Sequence, residues 1–330
     1  MFVLDAKEIH SLTSYLQSQG WLSAGEEIKE ASKPGAGNMN YVLRVISSNR
    51  SFIVKQSKGY VEKYPEIAAP ETRVLVEGAF YKKTKTDCEI KKYMPSLIGI
   101  DSINNIIALE DLGQTNDYTH LYGMDTKLLA SEIQSLTNYL THLHQTFYKD
   151  ETDDEFLNIE LRTLNHLHIF IYPFMEDNGF NLDTIQAGLQ VAAIPYKTDS
   201  ELKSRILEVG KIYLSKGHYL LHGDFYPGSW VRSKNGLKVI DPEFCFYGPL
   251  EFDLGVMMAH LIMTKHDDAL LNSVYTHYHS KEAINKTLLQ QFIGIEIMRR
   301  LIGLAQLPVA LDITAKKELL HYARQLIITY

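Results

Sequence analysis

Hydrophobic spacing changes near residue 113, and that change restricts the chain to folds in which a β-rich part precedes a larger helical one. Before it, Tyr41-Val-Leu-Arg-Val-Ile46 and Ser51-Phe-Ile-Val-Lys55 are strand-like and joined by the polar turn Ser48-Asn-Arg50. Asn105-Ile-Ile-Ala-Leu109 is a further extended stretch. Helices are predicted over residues 5–17, with Asp5 as N-cap and Glu8 three positions on, and over 69–83, with Pro70 in the first turn. After residue 113, Leu129, Ile133, Leu136, Leu140 and Leu143 step by three and four, the stripe of a buried helix. Similar stripes run through residues 201–216, 252–264, 286–304 and 316–328, broken by a β island at 219–221, 230–231 and 238–240. The expected class is α+β in two lobes, residues 1–113 with a small antiparallel sheet and residues 114–330 mainly helical.

Charge narrows the function. Thirty-three Lys and Arg against 40 Asp and Glu leave 330 residues with a net charge of −7. Bulk attraction to nucleic acid is therefore not expected. Two cysteines, Cys88 and Cys245, cannot build a disulfide framework or a cysteine zinc site, so a reducing, cytoplasmic setting is the expectation. The first residues, Met1-Phe-Val-Leu-Asp5, lack the basic opening of a signal peptide. The apolar run from Leu254 to Met263 is too short to span a bilayer, so no membrane partner is expected.

The residues that carry chemistry lie between His222 and Glu243. His222-Gly-Asp224 follows one apolar strand and Asp241-Pro-Glu243 follows another, with the aspartates seventeen positions apart. A hairpin would bring both strand ends to one place, where three carboxylates repel unless a cation sits among them. Mg²⁺ takes hard oxygen ligands and shares them with phosphate. Phosphoryl transfer uses such a group well: one carboxylate orients or deprotonates the attacking hydroxyl and others hold the metal. Asp224 is read as the base that touches the acceptor, and Asp241 with Glu243 as metal ligands. The plainer alternative is a capped turn followed by a helix start, which either motif alone would favour.

His222-Gly-Asp-Phe-Tyr-Pro-Gly-Ser229 and Val239-Ile-Asp-Pro-Glu-Phe-Cys-Phe-Tyr-Gly-Pro249 resemble the signature of the aminoglycoside phosphotransferase and choline kinase superfamily. Within it, Ser229 in the usual Asn position together with Asp241-x-Glu243 resembles the methylthioribose kinase family. The resemblance implies a protein-kinase-like bilobal fold, with an N-lobe over 1–113 binding nucleotide and a C-lobe over 114–330 holding catalysis and acceptor. It also implies ATP and Mg²⁺ as cofactors and a small alcohol or sugar as acceptor. Asp253, in Phe252-Asp-Leu-Gly255, matches a further family aspartate and is read as a helix cap.

On the nucleotide side, Gly35-Ala-Gly37-Asn-Met-Asn40 lies between strand-like segments and can lay backbone N–H groups over phosphates. A G-x-G alone is more often an ordinary turn; the resemblance gives Asn40 a contact with ATP. Lys55 ends an apolar strand on the face of Ile53, where a lysine is often just a solvated strand end; the kinase resemblance has it pairing with ATP phosphates while a helix glutamate holds it. Glu77 is the candidate partner, and Glu71 the first-turn alternative. By resemblance, Glu110, Asp111 and Leu112 form the adenine edge.

On the acceptor side, Arg299 and Arg300 interrupt an apolar helix, Glu296-Ile-Met-Arg-Arg-Leu-Ile-Gly-Leu304. By themselves they suit surface snorkelling or pairing with Glu296; the resemblance makes them sugar-site residues. Tyr64-Pro65 stands where the family carries Trp-Pro. His166 and His168, two apart in Asn165-His-Leu-His-Ile-Phe-Ile-Tyr-Pro173, would share a face on a strand, as a wall of the substrate site or, without a third ligand, in packing. The expected activity is a small-molecule kinase acting on methylthioribose or on choline, an aminoglycoside, another sugar or an amino alcohol, in a chain whose state as monomer or homodimer is open. A nucleotide-binding pseudokinase is the alternative from a different class.

Overall fold

The computed structural model describes residues 2–35, 39–123 and 126–329. The chain divides into two compact units: residues up to Asn116 with Val231–Cys245, and Asp117–Trp230 with the residues from Phe246 on.

The first unit is built on a five-stranded antiparallel sheet. In chain order it contains α1 (Ile9–Ser18), β1 (Ile28–Ser32), β2 (Tyr41–Ser47), β3 (Ser51–Gln56), the small pair β4 (Tyr60–Val61) and β5 (Tyr64–Ala68), α2 (Arg73–Thr84), β6 (Leu97–Asp101) and β7 (Ile106–Glu110). The strand order is β1-β2-β3-β7-β6. Period-two alternation gives the sheet two faces with different work. Leu43, Val45, Phe52, Val54 and Ala108 pack with Leu12, Leu16 and Trp21 into one core cluster. Lys55 stands opposite Val42 and Ile107 and so belongs to the other face. There α2 comes so close that a Cβ on Gly78 would meet Ile107 at 3.0 Å.

Two helix starts differ from expectation. α1 begins at Ile9, and the Asp5 carboxylate accepts from the Lys7 N–H before the helix begins. α2 begins at Arg73, so Pro70 precedes the helix; its carbonyl accepts from the Arg73 N–H at 3.4 Å.

The two-residue strand β8 (Asn116–Asp117) leads toward the second unit, which is mainly helical: α3 (Ala130–Thr146), α4 (Ile159–His166), α5 (Leu189–Lys197), α6 (Ser200–Leu214), α7 (Glu251–Met263), α8 (Asp268–His277), α9 (Lys286–Ile302) and α10 (Ile313–Ile328). The strand β9 (Tyr219–Leu221) pairs antiparallel with β12 (Phe246–Gly248), a partner too short for the sequence to signal, and β10 (Trp230–Ser233) is the neighbour of β11 (Gly236–Val239). His166 and His168 do not share a strand face: α4 runs straight into a π-helical turn at Leu167–Ile171. His166 stacks on Phe170 with ring centroids 5.1 Å apart, the packing role expected of it. Among the described residues no helix is long and apolar enough to cross a membrane.

Candidate active site

In the first unit, β3 delivers Lys55 and the facing helix α2 delivers Glu77. Lys55 Nζ lies 2.7 Å from Glu77 Oε1 and also contacts Asp241 Oδ1. Glu77 is 0% and Lys55 7% exposed, so the pair is held out of water. Burial works against the lysine charge, but the carboxylates of Asp241 and Glu77 outweigh it and hold the ammonium above its ordinary value. Burial pushes Glu77 upward, and Lys55 opposes that push. Glu71, the alternative partner, stands beside Gly59 instead, where a Cβ would meet its Oε1 at 3.1 Å.

Asp241 occupies the left-handed backbone region, φ 64° and ψ 49°. For a non-glycine residue that costs on the order of 1 kcal/mol. The turn it makes leads into the short helix Pro242–Phe244, which packs on α2. Glu243 is thereby brought to Asn40, whose Nδ2 donates to its Oε2 at 2.9 Å, and to Arg73, whose Nε is 3.6 Å from the same oxygen. Burial pushes the Glu243 carboxyl up to about 8, with the charges of Glu77 and Asp241 adding and Arg73 opposing.

Arg73 was not singled out in the sequence. Its Nη1 donates to the carbonyls of Lys58 (2.6 Å) and Pro70 (2.9 Å), and its Nη2 to those of Met39 (2.5 Å) and Tyr60 (3.0 Å). It thus ties the segment before β2 to the start of α2. Gly35 sits in the turn after β1, and Gly37 lies outside the described residues.

Glu110 ends β7 and accepts from the Ser96 N–H at 3.0 Å. Asp111 accepts from Arg44 Nη2 at 3.0 Å, and Arg44 also donates to the Gly113 carbonyl at 2.6 Å. Leu112 lies half-buried between them. The Asp111 side chain therefore fixes the strand end.

The acids at 241 and 243 supply hard oxygen donors of the kind Mg²⁺ prefers. Among the described residues no three His, Cys, Asp or Glu side chains gather into a metal cage. Mg²⁺ is commonly held by one or two carboxylates together with phosphate oxygens, so this donor set fits it. The buried Glu77 Oε2 and Asn40 Oδ1, without hydrogen-bond partners among the described residues, fit the same reading.

In the second unit, Asp224 lies in the turn after β9. Asp253, from α7, accepts the N–H groups of His222 (2.7 Å) and Gly223 (3.0 Å), and Gly223 takes φ 84°. Asp253 therefore holds the turn that carries Asp224 and does not cap its own helix, whose first residue is Glu251. Ser229 donates its hydroxyl to the Asp224 carbonyl at 2.7 Å, bracing the turn from the other side. Burial raises the Asp224 carboxyl above its ordinary value, with Arg300 and Arg299 opposing.

Both arginines of α9 are buried and both grip Glu296: Arg299 Nη1 donates to Oε2 at 3.0 Å and Arg300 Nε to Oε1 at 2.6 Å. The spacing i, i+3 and i+4 places them over one carboxylate. Arg300 Nη2 is also 3.5 Å from Asp224 Oδ1. Sequence reasoning named Glu296 as a pairing partner for the arginines. It passed over His260, which approaches Glu296 at 3.1 Å and reads in the sequence only as an interruption of an apolar run.

Residues 133–287 match the model of the phosphotransferase enzyme family. A methylthioribose kinase of Exiguobacterium sibiricum is 27% identical over 324 residues, covering 85% of this chain and 81% of that protein. Among solved structures, a spectinomycin phosphotransferase in complex with ADP and spectinomycin aligns with a TM-score of 0.55 at 14% identity, covering 99% of this chain and 98% of that one. A choline kinase from Streptococcus pneumoniae aligns with a TM-score of 0.52 at 14% identity, covering 97% of this chain and 100% of that one. With an antiparallel N-terminal sheet, a helical remainder and this likeness, the fold is the kinase-like α+β fold of those structures. Over residues 133–287 the chain matches the phosphotransferase enzyme family, and it is a small-molecule kinase similar to methylthioribose kinases.

Proposed function

We propose that the chain transfers the terminal phosphoryl group of ATP, with Mg²⁺, to a hydroxyl of a small sugar-like alcohol, with methylthioribose the first acceptor to test. The observation that carries this reading is the fixing of Asp224: its turn is held by Asp253 and Ser229, and its carboxylate faces Arg300 at 3.5 Å. A base needs such a fixed place more than it needs a strong charge.

In this reading Asp224 orients the acceptor hydroxyl and takes its proton, and Arg299 and Arg300 bind acceptor oxygens. Lys55, held by Glu77, binds nucleotide phosphates, with Gly35 and Asn40 beside them. Glu110, Asp111 and Leu112 border the adenine, so residues 1–113 serve the nucleotide while 114–330 serve catalysis and acceptor. Asp241 and Glu243 would hold Mg²⁺. When bound, the ion neutralises charge on the phosphates.

The ADP of the spectinomycin phosphotransferase structure supports the nucleotide part, and the methylthioribose kinase relative supports the acceptor class. Asp224→Asn is expected to lower turnover of ATP with methylthioribose by roughly 10²–10⁴ while sparing ATP affinity. Turnover that survives the substitution rejects Asp224 as base. A panel of choline, aminoglycosides and other sugars then ranks the acceptors.

A further inference from the structure

Glu296 receives three donors although it is only 2% exposed. Arg300 Nε and His260 Nε2 reach Oε1 at 2.6 and 3.1 Å, and Arg299 Nη1 reaches Oε2 at 3.0 Å. An ionised carboxylate only accepts, so the proton of His260 is on Nε2 and its Nδ1 is left as an acceptor. Tyr122 fills that place, its hydroxyl 2.8 Å from His260 Nδ1. The charge balance agrees: burial first, and then the two arginines, push His260 down to about 4, so it is neutral near pH 7. A directed chain results, Tyr122 to His260 to Glu296, with each donor aimed at the next acceptor.

Arg300 is drawn two ways. Its Nε is bonded to Glu296, while its Nη2, buried and without a hydrogen bond among the described residues, stands 3.5 Å from Asp224 Oδ1. The guanidinium also lies over the Tyr226 ring, 4.8 Å from its centroid, which limits sideways movement. Removing charge from Glu296 would leave Asp224 as the carboxylate facing Arg300. In a site with little water, the guanidinium would close on it.

We propose that Glu296, oriented by His260 and Tyr122, is a positioning residue that holds Arg300 back from Asp224 and keeps that carboxylate open to the acceptor hydroxyl. The proposal rests on the reading of Asp224 as the base. Glu296→Gln keeps the shape of the side chain and removes its charge. In a crystal structure of that variant, the Arg300 to Asp224 distance is expected to fall from 3.5 Å to below 3 Å. With ATP and methylthioribose, kcat is expected to drop about tenfold or more while the KM for ATP stays constant, a split that general loosening of the fold would not give.

His260→Leu, which deletes the donor to Glu296, shifts kcat in the same direction by several-fold, and His260→Gln, which restores a donor, recovers it. An Arg300 that has not moved, or an unchanged kcat, overturns the proposal. If the natural chain does not turn over methylthioribose, the acceptor reading fails, and the position of Arg300 in the variant still decides the role of Glu296. If Glu296→Gln does not fold, the two His260 variants decide it by the same measurements.

Discussion

His260 has no exposed surface, and both nitrogens of its ring are engaged, one by Tyr122 and one by Glu296. Its value of about 4 in the folded chain lies below the roughly 6.5 of an unfolded histidine. A depressed value means the folded state resists protonation. The stability it contributes is therefore present above pH 6.5 and lost as pH falls toward 4. Between pH 7.5 and pH 4.5 that loss is about 2–3 kcal/mol. His260→Gln should be spared it, so urea denaturation of both chains at the two pH values is expected to show the natural chain losing more. Equal losses would show that His260 does not carry this acid sensitivity. The pairing of Lys55 with a helix glutamate was legible through the kinase resemblance, and the mid-helix position of Glu77 chose it over Glu71. Arg73 was not legible, because backbone carbonyls carry no signature in a sequence, and four of them are its acceptors.

The helices α7, α9 and α10 approach one another through glycine. A Cβ at Gly255 would stand 2.7 Å from Phe292 Cβ, and one at Gly294 would stand 2.5 Å from the Ala323 carbonyl oxygen. α9 carries Glu296, Arg299 and Arg300, so this close packing also fixes the arginines along the helix axis. Gly294→Ala sets two effects against each other. Helix propensity favours alanine by about 1 kcal/mol, whereas overpacking against a backbone atom costs about 1–3 kcal/mol. The carbonyl cannot rotate away as a side chain can, so net destabilisation is expected, measured as a lower Tm; an equal or higher Tm would show that the helices part without cost. The α7, α9 and α10 stripes were read nearly to their observed ends because a buried helix writes its period into the sequence. The run from Asn165 to Pro173 misled, since its aromatic and branched residues suit a strand. Packing of His166 and Phe170 against the Tyr213 ring suits the helix and π-turn that the chain adopts instead.

For the whole chain, nucleotide binding is the property to measure first. If ATP and Mg²⁺ bind the folded state alone, about 2.7 kcal/mol of stabilisation is expected at a hundredfold excess over Kd. Asp241→Ala should remove the part of that gain that depends on Mg²⁺. Calorimetry with Mg²⁺ and with EDTA checks this, and a gain identical under both would remove the metal from Asp241 and Glu243. The helix stripes, the β2–β3 hairpin and the motifs that carry the acids at 224, 241 and 243 were determined by sequence alone, because periodicity, turn residues and short motifs act over a few positions. Beyond the pairing of Lys55 with Glu77 and of the arginines with Glu296, the partner each buried polar group takes was decided only by tertiary structure. Asp253 reaches back to the turn at His222, Glu296 gathers two arginines and a histidine from another helix, and Glu243 meets Asn40 from the far end of the chain. A buried polar group must be satisfied by whatever the fold sets beside it, and proximity in the fold is not written in the spacing of residues along the chain.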